Sequence, residues 1–158
     1  MMPIFMQYSG INGDLQSSHG LSGSGWIEIN SFQWGVGRGI SNSNSSSADR
    51  EGSTPSVSQI VVTRATDASS PSLWRATLAG PIGKISIVFT KPTKSGSGEV
   101  VNHTISLNNG TIVSYETYHG IRKDKSARHE RVTINFSRYD FDGLGSVPIP
   151  YTLTSPLR

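Results

Sequence analysis

Gly25-Trp26-Ile27-Glu28-Ile29-Asn30-Ser31-Phe32-Gln33-Trp34-Gly35-Val36 is the stretch on which the fold turns. Ile27 and Ile29 alternate on one parity, whereas Phe32, Trp34 and Val36 alternate on the other. Period-two alternation marks a strand with one buried face. A change of parity within it needs one residue out of step, so the reading is a single strand with a bulge or bend near Asn30.

Working outward, Pro3 to Tyr8 reads as a short edge strand beginning at a proline. Residues 9–25, with glycines among serines, read as a loop. On the other side, residues 37–56 carry the least structural signal: 41–47 are only serine and asparagine, and Asp49, Arg50 and Glu51 follow. So long a loop in a compact domain is either mobile or functional. Composition leaves both a plain surface loop and a partner-seeking arm open.

Val57 to Thr66 is predicted to be a strand covered on both faces. A helix follows over about 70–80: Ser69 or Ser70 can cap it, Pro71 suits its first turn, and Gly80 stops it. Leu73, Ala76 and Thr77 fall on one side, and Trp74 pairs with Leu78 at i,i+4. A helix of about ten residues is unstable alone and must pack on a sheet. Further strands are predicted at Ile85–Thr90, Val100–Leu107, Thr111–Tyr118 and Arg131–Phe141. Asn109-Gly110 predicts a type I′ hairpin between two of them, because both central positions of that turn need positive φ. The fold class is therefore mainly β, a β-barrel or two packed sheets with one short helix on its flank.

Composition narrows the chemistry. The 158 residues fit one domain, 1–158, with a C-terminal tail at 146–158. Fourteen basic against eleven acidic residues leave only +3, a weak argument for an anionic partner. The absence of cysteine excludes disulfides, a thiol nucleophile and thiolate metal sites. No apolar run approaches the ~20 residues of a membrane span, and the first eight residues lack the basic and apolar regions of a secretory signal. Export, if it occurs, is expected by another route.

The motifs that carry catalysis are missing. Histidines 19, 103, 119 and 129 form no metal-binding spacing. His103 shares the parity of Val101 and Ile105 and reads as a core or interface residue. Gly35-Val36-Gly37-Arg38-Gly39-Ile40 lacks the third glycine of a dinucleotide loop and leads into the Ser/Asn segment. Asp140-Phe141-Asp142-Gly143 resembles the start of a calcium loop without its closing carboxylate, so a turn ending the last strand accounts for it better. Arg122, Lys123, Lys125, Arg128 and Arg131, interrupted by Asp124 and Glu130, read as a solvated hairpin tip rather than a nucleic-acid surface. No enzyme, cofactor, metal, nucleic-acid or membrane role is expected.

The ordered pattern says more than any single motif. A Trp-bearing strand closes in Phe32-Gln33-Trp34-Gly35, a long loop follows, and then a strand runs from Ser58 to Thr63. Asp67-Ala68-Ser69-Ser70-Pro71-Ser72-Leu73 opens the helix, and Glu130-Arg131-Val132-Thr133-Ile134-Asn135-Phe136 precedes a strand with Tyr139. Over about residues 3–145 this set resembles the Hcp family, the ring-forming tail-tube proteins of bacterial type VI secretion. The Ser/Asn run at 41–47, where family members often carry glycines, and the tail from Val147 to Tyr151 depart from the family pattern.

The resemblance implies a compact β-barrel with one helix, closed into homohexameric rings that stack into a hollow tube. It also implies a VgrG-like spike, a sheath and small lumenal effector proteins as partners, with the protein cytoplasmic before firing and secreted afterwards. The segment 38–55 would then be an arm to a neighbouring subunit or ring, with Arg38, Asn42, Asn44, Asp49, Arg50 and Glu51 as its contacts. Two other readings fit less well. A phage-type tail-tube subunit would share the fold, and a monomeric carbohydrate-binding β-sandwich would expose Trp26, Trp34 or Trp74.

Overall fold

The computed structural model describes residues 3–9, 11, 21, 25–38, 55–80, 83–96, 98–122, 125–143 and 146–152. The strands are β1 (Ile4–Tyr8), β2 (Ile27–Ile29), β3 (Ser31–Gln33), β4 (Val36–Arg38), β5 (Pro55–Val57) and β6 (Ile60–Ala65). After helix α1 (Ser70–Ala79) come β7 (Gly83–Pro92), β8 (Glu99–Arg122), β9 (Lys125–Asn135), β10 (Arg138–Gly143) and β11 (Ser146–Thr152). The main ladder runs β2-β1-β7-β8-β9-β6-β3, with β10 on β8 and β11 on β10, while β4 and β5 pair separately. Every pairing is antiparallel.

The parity switch lies where the sequence puts it. Ile27 and Ile29 in β2 are buried toward β1, the chain bends at Asn30, and β3 pairs with β6. The Asn30 amide donates to the Thr63 carbonyl at 2.7 Å. This single bend carries the chain between the two ends of the ladder, and β2 and β3 share no ladder of their own. The fold is thus two packed sheets, and the closed barrel named alongside them is not formed.

The 24-residue β8 joins the sheets. Its first half pairs with β7 on one edge and β10 on the other, and its second half pairs with β9. The type I′ hairpin expected at Asn109-Gly110 is absent: the strand runs straight through. Asn109 has φ 53°, but Gly110 is not among the positive-φ residues. Gly110 is needed for close approach instead, since a Cβ there would lie 2.6 Å from Ile85 Cδ1. Irregularities opposite Gly83/Ile85 and within Ile112/Ser114 flank this point and bend β8 from one sheet into the other.

Other boundaries also differ. Val57–Thr66 divides at Ser58 and Gln59, so β5 joins the ribbon with β4 and β6 joins the main ladder. The ends of the expected 37–56 loop are therefore paired, Gly37 to Ser56 and Arg38 to Pro55. Arg131–Phe141 divides at Phe136 and Ser137, which lie opposite the bend in β8. The tail is a strand over Ser146–Thr152, so Asp140 and Asp142 lie in β10, which is followed by another strand.

Met6, Ile27, Ile60, Val62, Ile85, Ile87, Ile105, Leu107, Val132 and Ile134 fill the core between the sheets, and α1 adds Leu73 and Ala76. Phe5, Trp26 and Val88 form a smaller cluster, covered by Leu21. At about 25 cal/mol per Å² of apolar surface, each large side chain so buried contributes roughly 1.5–3 kcal/mol before entropy is counted.

Candidate functional site

Two clusters gather the residues that the sequence singles out. The first is the root of the 39–54 segment. The Gly35 amide donates to Ser58 Oγ at 2.9 Å, Ser58 N donates to the Gly35 carbonyl at 2.8 Å, and Trp34 Nε1 donates to the Ser58 carbonyl at 3.1 Å. One serine thus ties down both the Trp34-Gly35 strand end and the start of the following strand. Trp34 meets Tyr139 edge-on at 4.8 Å, and with Gly35, Val36 and Phe141 they line a cavity of about 290 Å³. Val36 is 70% exposed beside it. Farther along the same aromatic wall, His103 stacks between Phe89 (4.1 Å) and Phe141 (5.4 Å), and burial lowers its pKa.

Arg38 belongs to this root, its backbone opposite Pro55. Asn42, Asn44, Asp49, Arg50 and Glu51 lie outside the described residues.

The second cluster joins the helix-opening motif to the late strand motif. Arg64 and Glu130 are direct register partners on β6 and β9. They form an ion pair of 2.8 Å while only 1% and 0% exposed. Arg64 Nη2 also reaches Asp67 Oδ1 at 2.5 Å and donates to Ser69 Oγ at 2.9 Å. Asp67 in turn organises the start of α1: its Oδ1 accepts from the Ser69 amide at 2.8 Å, and its own amide donates to Ser70 Oγ at 3.0 Å. The arrangement has the reciprocal form of a capping box, whereas Ser69, the helix N-cap, makes no side-chain cap bond. Burial raises the Asp67 pKa, but hydrogen bonds from Arg64 and Ser69 outweigh it and hold the carboxyl below its ordinary value. Burial first, and the neighbouring Glu130 carboxylate second, push the Tyr115 phenol upward, so it stays protonated.

The sequence reading passes over Arg64 and places Glu130 at a solvated hairpin tip, whereas both side chains are buried. The signal was present, since Arg64 shares the inward parity of Ile60 and Val62, and Glu130 that of Val132 and Ile134. The basic stretch lies on the β8–β9 hairpin, whose last described pair is Arg122 with Lys125. Among the described residues no His, Cys, Asp and Glu gather to hold a metal, and no helix is long and apolar enough to cross a membrane. Of the three tryptophans, Trp26 is buried, Trp34 half-buried and Trp74 53% exposed.

The family model described as type VI secretion system effector, Hcp, matches residues 5–142. The chain belongs to the Hcp family. Its fold is similar to that of a type six secretion system protein, with a TM-score of 0.76 at 16% identity over 97% of this chain and 96% of that one. It is also similar to Hcp1 from Salmonella typhimurium (TM-score 0.72, 17% identity, 98% and 96% covered). A type VI secretion system effector from Yersinia pestis gives 0.70 at 17% identity, with 95% and 99% covered. No curated protein matches the sequence. Membership makes the chain a component of the type VI secretion tube, a self-associating structural protein of a secretion system. Hcp proteins are themselves secreted by that system. The stretches that carry the resemblance meet in space in this chain: Trp34-Gly35 against Ser58, and Asp67 against Glu130 through Arg64.

Proposed function

We propose that six copies of this chain close into a ring with an open centre, and that rings stack into the hollow inner tube of a type VI apparatus. The family match over residues 5–142 carries this reading. The strand edges support it. Beyond Gly110, β8 has a strand partner only on its β9 side among the described residues. A strand edge without a strand partner can pair with another chain, and heterologous contacts close a ring when the rotation divides a full turn. The outer strand β11 carries Pro148 and Pro150, residues suited to an edge that stays unpaired.

In this reading the protein has a structural and not a catalytic role. It moves from the cytoplasm to the exterior through the apparatus, holds small effector proteins in its lumen, and meets a VgrG-like spike and a sheath. The segment from Arg38 to Pro55 reaches a neighbouring subunit or ring, with Asn42, Asn44, Asp49, Arg50 and Glu51 as its contacts. Negative-stain electron microscopy with light scattering tests the ring. Six-membered particles with open centres, of six times the 17.0 kDa protomer mass, are expected. A monodisperse monomer over a wide concentration range would overturn it.

A further inference from the structure

We propose that the groove between α1 and the β8–β9 hairpin binds a neutral carbohydrate, a property that goes beyond the ring reading and does not rest on it. The groove has a volume of about 620 Å³, inside the roughly 300–1,000 Å³ typical of small-ligand sites. Asp67 and Trp74 stand on its helix side, and Tyr118, His119, Arg128 and Glu130 on its hairpin side.

Two aromatic side chains are open there. Trp74 is 53% exposed and Tyr118 45% exposed, whereas Trp26 is buried and the Trp34 N–H is tied to the Ser58 carbonyl. Tyr115 meets Trp74 edge-on at 5.4 Å, which orients the indole without covering it. An open aromatic ring offers an apolar face for stacking beside a polar edge. An exposed tryptophan is also what the sequence reading required of a sugar-binding sandwich, and Trp74 is the one of the three that meets it.

The charges of the groove cancel. Asp67 and Glu130 supply two negative charges and Arg64 and Arg128 two positive ones, with His119 counted as neutral. Glu130 is turned inward, to Arg64 at 2.8 Å and to the Tyr115 phenol. Asp67 is partly exposed; its Oδ1 serves Arg64 and Ser69, and its Oδ2 has no partner among the described residues. Arg128 is exposed and has no ion pair among the described residues. A carboxylate that only accepts and a guanidinium that only donates therefore flank two aromatic surfaces.

That combination selects the ligand class. An anion would face the two carboxylates, and a cation the two guanidiniums. A wholly apolar surface would strip water from Asp67 and Arg128 without replacing their hydrogen bonds. A sugar meets all the demands at once: its hydroxyls donate to Asp67 and accept from Arg128, and its ring C–H face lies against Trp74 or Tyr118. Hydrogen bonds of hydroxyls to ionised partners are stronger than those between neutral groups.

Isothermal titration calorimetry of the wild-type chain, in the assembly it holds in solution, tests the site with chitotetraose, cellotetraose and mannotetraose. A dissociation constant of about 1 mM or tighter is expected for at least one of them. It should not change between low and high salt, because no charge is neutralised on binding. Trp74→Ala and Arg128→Ala, both at exposed positions and checked for folding by circular dichroism, should each weaken binding by about tenfold. Absence of binding to all three sugars overturns the proposal, and so does binding left intact in both folded variants, which would place the sugar elsewhere. Affinity that falls away with salt would mark the groove as a site for a charged ligand and overturn it as well. Light scattering on the same samples separates the two readings: rings that bind no sugar sink the groove alone, and a monomer that binds sugar through Trp74 sinks the ring alone.

Discussion

At the scale of single residues, the Arg64–Glu130 pair dominates the energetics of the site. A buried pair of this kind is weakly stabilising as a whole but costly to break on one side, because the surviving charge is stranded away from water. Glu130→Ala is therefore expected to cost about 3–5 kcal/mol in urea unfolding. Arg131→Ala, which removes a 3.5 Å pair with Glu116 between half-exposed side chains, should cost about 0–1 kcal/mol. Equal losses in the two variants would show that burial does not govern the difference. His103 gives a pH signature of known sign. Its pKa is lowered in the folded state by burial between Phe89 and Phe141. The unfolded chain then binds the proton more readily, and stability present at neutral pH is lost as pH falls below the ordinary histidine value of about 6.5. Urea midpoints from pH 8 to 5 should fall less steeply in His103→Leu than in the wild type, and parallel curves would rule this out. Asp67 acts lower, since its depressed pKa keeps its contribution until pH drops through the carboxylate range. His103 was legible in the sequence because its parity already placed it inward. The Arg64–Glu130 pair was harder to read, because each is a charge in an apolar pattern and only their cross-strand register makes the two one unit.

At the scale of elements, the helix was legible and the longest strand was not. Pro71 and Gly80 bound α1 through local stereochemistry, and its buried face follows the Leu73–Ala76 spacing. Asn109-Gly110 misleads because a tight turn and a strand irregularity favour the same residues: each needs positive φ or a missing Cβ. Here Asn109 supplies the φ and Gly110 the space under Ile85. Gly110→Ala should accordingly destabilise by about 1–3 kcal/mol through overpacking, seen as a lower thermal midpoint. A wild-type midpoint would mean that Ile85 and Gly83 yield without cost. The Ser58 break between β5 and β6 was not read from the sequence, where the run of apolar residues suggested one strand covered on both faces although Val57 is opposite in parity to Ile60 and Val62. Only the bonds from Ser58 to Trp34 and Gly35 detach the ribbon.

At the scale of the whole molecule, the ring reading makes the 39–54 segment a joint between copies. Combined charge reversal, Arg50→Glu with Glu51→Arg, should shorten or abolish stacked tubes in electron micrographs while single rings persist. Tubes of unchanged length would count against the arm. Two packed sheets and a flanking helix were foreseeable from alternation and from one ten-residue helix unable to stand alone. The candidate site was only partly so: its motifs were visible as words, and their meeting points were not. The sequence by itself determined the strand periods, the parity switch at Asn30, the limits of α1 and the absence of thiol chemistry, because these depend on neighbours along the chain and on dihedral preference. Only the tertiary structure decided that β8 runs unbroken through Asn109, that the tail completes an edge on β10, and that Arg64 is neutralised by Glu130 across 66 residues. Backbone donors and acceptors are the same in every strand, so pairing and register are chosen by the packing of side chains far apart in sequence.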